Sequence, residues 1–156
     1  APVDGLKVGA SYISFNDSGS GSGQEQEPES GAYYATYAFG NFTVGASQAY
    51  RAEAIDDDTQ RTSGDVEYYD QKNMSVAMAV NDDLTVSYEV EESERVMSID
   101  TEAATTAKSR GIQLAYNMGG MTIAVAHNEH ENPSYIPEDS TKADETQTLI
   151  ALTMAF

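Results

Sequence analysis

The chain has 156 residues, of which 26 are acidic, 8 are basic and none is cysteine, and its formal net charge is −18. This charge argues against a nucleic-acid partner, which needs a basic face, and the lack of cysteine excludes a disulfide framework and a thiolate metal site. The length fits one domain, residues 1–156, and no apolar run approaches the ~20 residues of a membrane-spanning helix.

An alternation of apolar and polar residues, which is typical of β-strands with two different faces, recurs along the whole chain. It predicts about eight strands of near ~9–11 residues each, the length that crosses a bilayer when a strand is tilted. In chain order these strands start near Leu6, Tyr33, Phe42, Met74, Leu84, Ile112, Met121 and Thr148.

The predicted connections alternate between short and long. Residues 40–41, 81–82 and 118–120 have the residue types of tight hairpin turns. Long polar stretches lie between them, at 16–30, 55–65, 98–107 and 131–145. Short turns at one end and long loops at the other are typical of outer-membrane barrels, whereas a soluble sandwich has no reason to gather its long loops at one end.

The two faces of the predicted strands differ in composition. One carries large apolar residues and the other mainly Gly, Ala, Ser and Thr. We expect the first face to meet lipid and the second to line a water-filled lumen, because the surface of a soluble barrel usually carries Lys and Glu. Aromatic residues near both strand ends predict two girdles at headgroup level: Tyr12, Tyr33 and Tyr50 on the loop side, and Phe39, Phe42, Tyr116 and Phe156 on the turn side. Aromatic residues filling a soluble core are the alternative.

The last strand ends in a recognisable motif. Ile150, Leu152, Met154 and Phe156 occupy alternate positions up to a carboxy-terminal aromatic residue. This pattern resembles the signature by which bacterial outer-membrane proteins are recognised for insertion by the barrel-assembly machinery. Members of that group often have an aromatic residue where Met154 stands.

Residues 1–12 resemble the Pro-x-x-Gly turn and following strand found midway through Gram-negative trimeric porins, the general diffusion porins. The resemblance implies an antiparallel transmembrane β-barrel in the bacterial outer membrane, of which this chain is the carboxy-terminal half, eight of sixteen strands. It also implies a homotrimer surrounded by lipid and lipopolysaccharide. In such porins the loop that folds into the pore precedes this segment, and no such loop is predicted here.

Continuing the alternation places six charged residues in the lumen. Charged rings set ion preference in channels, and the resemblance implies opposed charges at a constriction that orients polar solutes. Solvation at the rim, without a role in transport, is the simpler alternative for each residue. The predicted pore-lining residues are Lys7, Arg51, Glu53, Glu89, Glu91 and Arg95.

Two further groups are weaker candidates. Acidic clusters at 56–58 and at Glu25, Glu27 and Glu29 have oxygens that suit hard cations, but they lack the spacing of a calcium loop, so no metal site is predicted. His127 shares the lipid-facing parity of Val125, as in outer-membrane phospholipases, yet no nucleophile is adjacent in sequence. His127 and His130 are therefore predicted to be structural or rim residues, and no catalytic residue or cofactor is expected.

These patterns predict a passive channel for small hydrophilic solutes and ions, with a preference for cations because the mouth is acidic. The main alternative is a small closed eight-stranded barrel whose acidic loops bind surfaces or ligands. An outer-membrane enzyme and a soluble ligand-binding barrel are further alternatives. Side chains must fill an eight-stranded barrel, and the small residues of the inward face cannot. We therefore expect an open, curved sheet, in which the strand at Leu6 does not pair with the strand at Thr148, closed by strands outside this sequence.

Overall fold

A computed structural model of the chain describes residues 3–15, 26–55, 65–98, 102–137 and 140–154. These residues form one sheet of eight antiparallel strands, and none of them is helical. The predicted all-β fold and the predicted number of strands are confirmed. The strands are β1 (Leu6–Ser14), β2 (Glu29–Phe39), β3 (Phe42–Ala52), β4 (Val66–Ala79), β5 (Leu84–Met97), β6 (Thr105–Met118), β7 (Met121–Glu131) and β8 (Glu145–Met154).

The sheet is an open meander. Each strand pairs with its neighbours in the chain, in the order β1 to β8, and the one shift of register lies between Val66 and Tyr68 in the β4–β5 ladder. Among the described residues β1 and β8 make no contact with each other. The prediction that the first and last strands do not pair is therefore confirmed, and these strands do not close into an eight-stranded barrel.

Tight turns form where the sequence predicts them. Gly40 joins β2 to β3 with φ 57°, and Gly119 joins β6 to β7 with φ 50°, a left-handed conformation that favours glycine. In the β4–β5 turn the Asn81 side-chain oxygen accepts hydrogen bonds from the backbone N–H groups of Asp83 and Leu84, both at 2.9 Å.

Three strands are longer than predicted, because β4, β5 and β6 each have 14 residues. Their additional residues lie on the loop side, and β6 begins at Thr105, inside the stretch 98–107 that was expected to be a loop. These extensions are mainly polar on both faces, apart from Val66, Val96 and Met97. Their alternation of apolar and polar residues is therefore weak, while cross-strand ion pairs and backbone hydrogen bonds maintain the ladder.

The described part of the chain has almost no hydrophobic core. Ala52 at 3 % and Ile55 at 0 % exposure are its buried apolar residues. They lie near the loop side, where the Gln26 side chain donates hydrogen bonds to the backbone oxygens of Glu53 and Glu67, both at 2.8 Å. Burial in a protein interior therefore does not explain why apolar and polar residues alternate along the strands. The two exposed faces of the sheet carry this alternation.

Candidate functional site: the two faces of the sheet

The pairing register assigns the strand side chains to two faces. The apolar face carries large side chains that remain exposed, such as Val8 at 69 %, Met74 at 65 % and Ile150 at 71 %. The opposite face, which we call the small-residue face, includes Gly9, Ser11, Thr36, Ala38, Thr43, Gly45, Ser47, Ser75, Ala77, Ala79, Thr85, Ser87, Ala115, Ala124, Ala126, Ala151 and Thr153.

The band of large apolar side chains crosses the sheet diagonally. On the loop side the band ends at Tyr12 on β1 and at Ile150 on β8. When the pairing of residues is followed from β1 to β8, the limit on β8 lies about eight residues closer to the turn side than the limit on β1. A single row of paired residues shows the change, since it is apolar from β1 to β5 and polar from β6 to β8. That row is Val8, Ala35, Ala46, Met74, Val90, Arg110, Glu129 and Thr146.

The displacement of the band gives the tilt of the strands. About eight residues correspond to about 27 Å along a strand, and the seven spacings from β1 to β8 correspond to about 34 Å across the sheet. The strands therefore cross the band at about 40° to its normal. Because the band takes about four alternate positions on most strands, or about 27 Å of strand, its height at this tilt is about 20 Å.

Ion pairs border the band on its loop side. Lys72 Nζ lies 3.3 Å from Asp70 Oδ2, and Lys108 Nζ lies 3.4 Å from Glu92 Oε2, all on the apolar face. On the same face Arg110 Nη2 lies 2.6 Å from Glu129 Oε2. The border therefore separates the uncharged band from a zone of paired charges.

Aromatic side chains cluster at both margins of the band. On the turn side the rings of Tyr37, Phe39 and Phe42 stack in succession, with centroids 5.7 and 5.8 Å apart. On the loop side Tyr12 donates a hydrogen bond of 2.6 Å to Glu29, and Tyr33 donates one to Gln48. The tyrosine hydroxyls on the loop side thus point to polar partners, while their rings belong to the apolar face.

The predicted pore-lining residues are spread over the small-residue face. Arg51 and Glu53, at and just beyond the loop end of β3, form an ion pair of 3.4 Å. Glu89 and Glu91 are on β5 beside Gly111 and Ser109 of β6, whereas Lys7 is on β1, at the far edge of the sheet. Arg95 lies near the loop end of β5. The structure brings together Arg51 with Glu53 and Glu89 with Glu91, and a role in transport remains a prediction for all six.

Part of the predicted loop 131–145 folds over the small-residue face, which the sequence does not predict. Residues 132–137 follow β7, and the Tyr135 hydroxyl donates a hydrogen bond of 2.6 Å to Ser93 on β5. Arg95 Nη2 donates one of 2.8 Å to the Tyr135 carbonyl oxygen. These partners are 42 and 40 residues apart in the chain, so a periodicity within one strand gives no signal for them.

Both histidines are hydrogen-bonded to hydroxyl groups on neighbouring strands. His130 Nδ1 lies 2.8 Å from Ser109 Oγ on the small-residue face, and His127 Nδ1 lies 2.9 Å from Thr148 Oγ1 on the apolar face. Within the described part of the chain no carboxylate hydrogen-bonds to His130, and the Glu129 oxygen nearest His127 is at 4.0 Å. Each histidine ring therefore lies beside a hydroxyl group of the neighbouring strand, a contact that the sequence does not predict.

Some predicted features lie outside the described residues, namely Phe156 of the terminal motif, Glu25 and the acidic cluster at 56–58. Ile150, Leu152 and Met154, the other members of the motif, lie on the apolar face of β8 and are exposed. The residues described include no group of three or more His, Asp or Glu side chains placed to hold a metal ion.

Comparison with known families and with curated proteins finds no family model and no curated protein that matches the chain. In the described ranges no helix has the length and apolar character needed to span a membrane.

Proposed function

We propose that the sheet is part of the wall of a transmembrane β-barrel in the bacterial outer membrane and lines a passive channel for small hydrophilic solutes and ions. The diagonal apolar band is the observation that carries this proposal. Strands of such barrels tilt by about 35–45° and present an apolar belt about 25 Å tall. The tilt of about 40° and the height of about 20 Å derived from the register are close to both values.

The small-residue face supports a wide lumen. Ser75, Ala77 and Ala115 are half-buried, although their neighbours on that face are also small, while the larger Met74 and Ile112 on the apolar face are exposed. This contrast fits a sheet that curves toward the small-residue face. A lumen lined by such residues is left open to water, which is what a diffusion channel requires.

Closure of the barrel requires further strands. Unpaired backbone N–H and C=O groups within lipid cost several kcal/mol each, so the free edges of β1 and β8 need partners. We propose that additional strands supply them, to a total of sixteen as the resemblance implies. The surroundings would be outer-membrane lipid and lipopolysaccharide, and insertion by the barrel-assembly machinery and assembly as a homotrimer belong to the same proposal.

Single-channel recording in a planar bilayer, on the barrel that includes the proposed closing strands, tests the proposal. We expect stepwise conductance and a reversal potential that reports cation preference, because Glu89 and Glu91 face the lumen. Glu91→Gln should lower the permeability ratio of cation to anion. The matched control is Glu92→Gln, which removes a charge from the next residue of β5 but on the apolar face, and it should leave the ratio unchanged. A silent bilayer with inserted protein would refute the channel.

A further inference from the structure

The segment 132–137 is built to turn back over the sheet. Asn132 and Tyr135 have φ values of 51° and 53°, a conformation that is uncommon for bulky residues and needs support from contacts. Asn132 supplies that support and is only 4 % exposed. Its side-chain amide donates hydrogen bonds of 3.0 Å to the carbonyl oxygens of Thr106 and Ile136, and its Oδ1 accepts one of 2.7 Å from the Ile136 N–H.

The turn carries Tyr135 far across the small-residue face. The Tyr135 ring packs against the Tyr69 ring on β4, with centroids 5.7 Å apart and an interplanar angle of 67°, and its hydroxyl is bonded to Ser93 on β5. Three strand spacings, about 14 Å, separate β7 from β4. The segment therefore spans the inner surface of the proposed wall instead of extending away from its rim.

Arg95 holds this segment down. Its guanidinium carbon lies 5.4 Å from the centroid of the Tyr135 ring, a cation–π contact, and Nη2 donates to the Tyr135 carbonyl oxygen. Its Nε is buried and has no hydrogen-bond partner within the described ranges. Arg95 is thus occupied beneath the segment and does not project freely into the lumen.

The position of these contacts places them at the mouth. Arg95 is five residues beyond Val90, where the apolar band of β5 ends on the loop side, and this is about 17 Å along the strand. We propose that Tyr135 narrows the loop-side mouth of the channel and limits the size of the solutes that enter, with Arg95 as its positioning residue. The inference rests on the proposed function and adds to it a residue that restricts the loop-side mouth.

These 156 residues contain no cysteine, so Tyr135→Cys introduces the one thiol of this part of the barrel, and its position in the channel can be tested. In single-channel recordings of the barrel with its proposed closing strands, removal of the ring should raise the conductance about 1.5-fold, because the resistance of a narrow section falls as its cross-section grows. A bulky methanethiosulfonate reagent should then lower the conductance again. Liposome swelling with sugars of increasing size should show a higher size limit for Tyr135→Gly, whose backbone accepts a positive φ without strain.

Tyr12→Cys is the control, since Tyr12 is also on the loop side but on the apolar face. Its conductance should be unaffected by the same reagent. If the wild-type protein conducts but the Tyr135 variants keep its conductance and size limit and ignore the reagent, the inference is overturned and the channel stands. If the wild-type protein is silent, the proposed function is refuted, and the inference with it.

Discussion

A comparison of two arginine substitutions in one hydrogen-bonded row tests the diagonal band directly. Ala46 on β3 and Thr146 on β8 belong to the same row and to the same face, and both are exposed. Ala46 lies four residues, about 14 Å, from both Phe42 and Tyr50, the limits of the band on β3. Thr146 lies four residues beyond Ile150, outside the band by about 14 Å along β8.

These positions give different expected costs. An arginine on the lipid face costs about 2–4 kcal/mol at the bilayer midplane and about 0–1 kcal/mol near the interface. At a tilt of about 40°, Thr146 is about 10 Å above the margin of the band, whereas Ala46 is near its middle. Ala46→Arg should therefore destabilise the inserted protein by about 2–4 kcal/mol, or about 30-fold to 1,000-fold in the folding equilibrium, and Thr146→Arg by less than about 1 kcal/mol.

Urea unfolding of the inserted barrel in lipid vesicles, followed by intrinsic fluorescence to which the 10 tyrosines of these 156 residues contribute, measures both costs. Ser47→Arg controls for the change of residue type, because Ser47 is next to Ala46 but on the small-residue face, and we expect it to cost little in a water-filled lumen. Equal losses for Ala46→Arg and Thr146→Arg would refute the tilted band. A loss for Ser47→Arg as large as that for Ala46→Arg would refute the assignment of the faces.

Two further predictions concern the turn before β1 and the segment 132–137. Gly5→Ala should lower the free energy of unfolding by about 3 kcal/mol, since Gly5 has φ 80° and an added Cβ would overlap the Ala38 carbonyl oxygen. Gly40→Ala should lower it by about 1 kcal/mol, because Gly40 has φ 57° but no atom within 4 Å of the added Cβ. Equal shifts of the urea midpoint would contradict this difference. Asn132→Ala removes the side-chain hydrogen bonds that hold residues 132–137, so exchange of the Ile136 amide hydrogen should accelerate by about tenfold or more. Ser134→Ala, at an exposed site in the same segment, should leave this exchange rate unchanged. Similar rates in both variants would show that Asn132 does not hold the turn.

The strands and turns were predictable because their signals are local. An alternation of period two identifies each strand where one face is apolar, and residue types such as those of 40–41 identify the turns. The signal fails at the loop-side ends of β4, β5 and β6, where both faces are mainly polar and pairs such as Lys108 with Glu92 support the ladder. It fails for a different reason at Tyr135 and at the Ser109–His130 pair, whose contacts join residues far apart in the chain.

The tilt is a property that neither the sequence nor the backbone contains alone. The sequence tells which side chains are apolar, and the register tells which residues lie opposite each other. The angle of about 40° follows only when the apolar positions are placed on the register.

That angle also constrains how the sheet can close. At this tilt, eight strands spaced by about 4.8 Å would enclose a barrel of about 8 Å backbone radius, and sixteen would enclose one of about 16 Å. Side chains must fill the smaller barrel, yet Gly, Ala, Ser and Thr reach only a few ångströms from the backbone and would leave its centre empty. An interior of the larger radius is filled by water, which needs no large side chains and tolerates charges such as Glu89 and Glu91. The residues of the small-residue face therefore support the wider of the two closures for the proposed barrel, and among the described residues the outer edges of β1 and β8 have no strand partner.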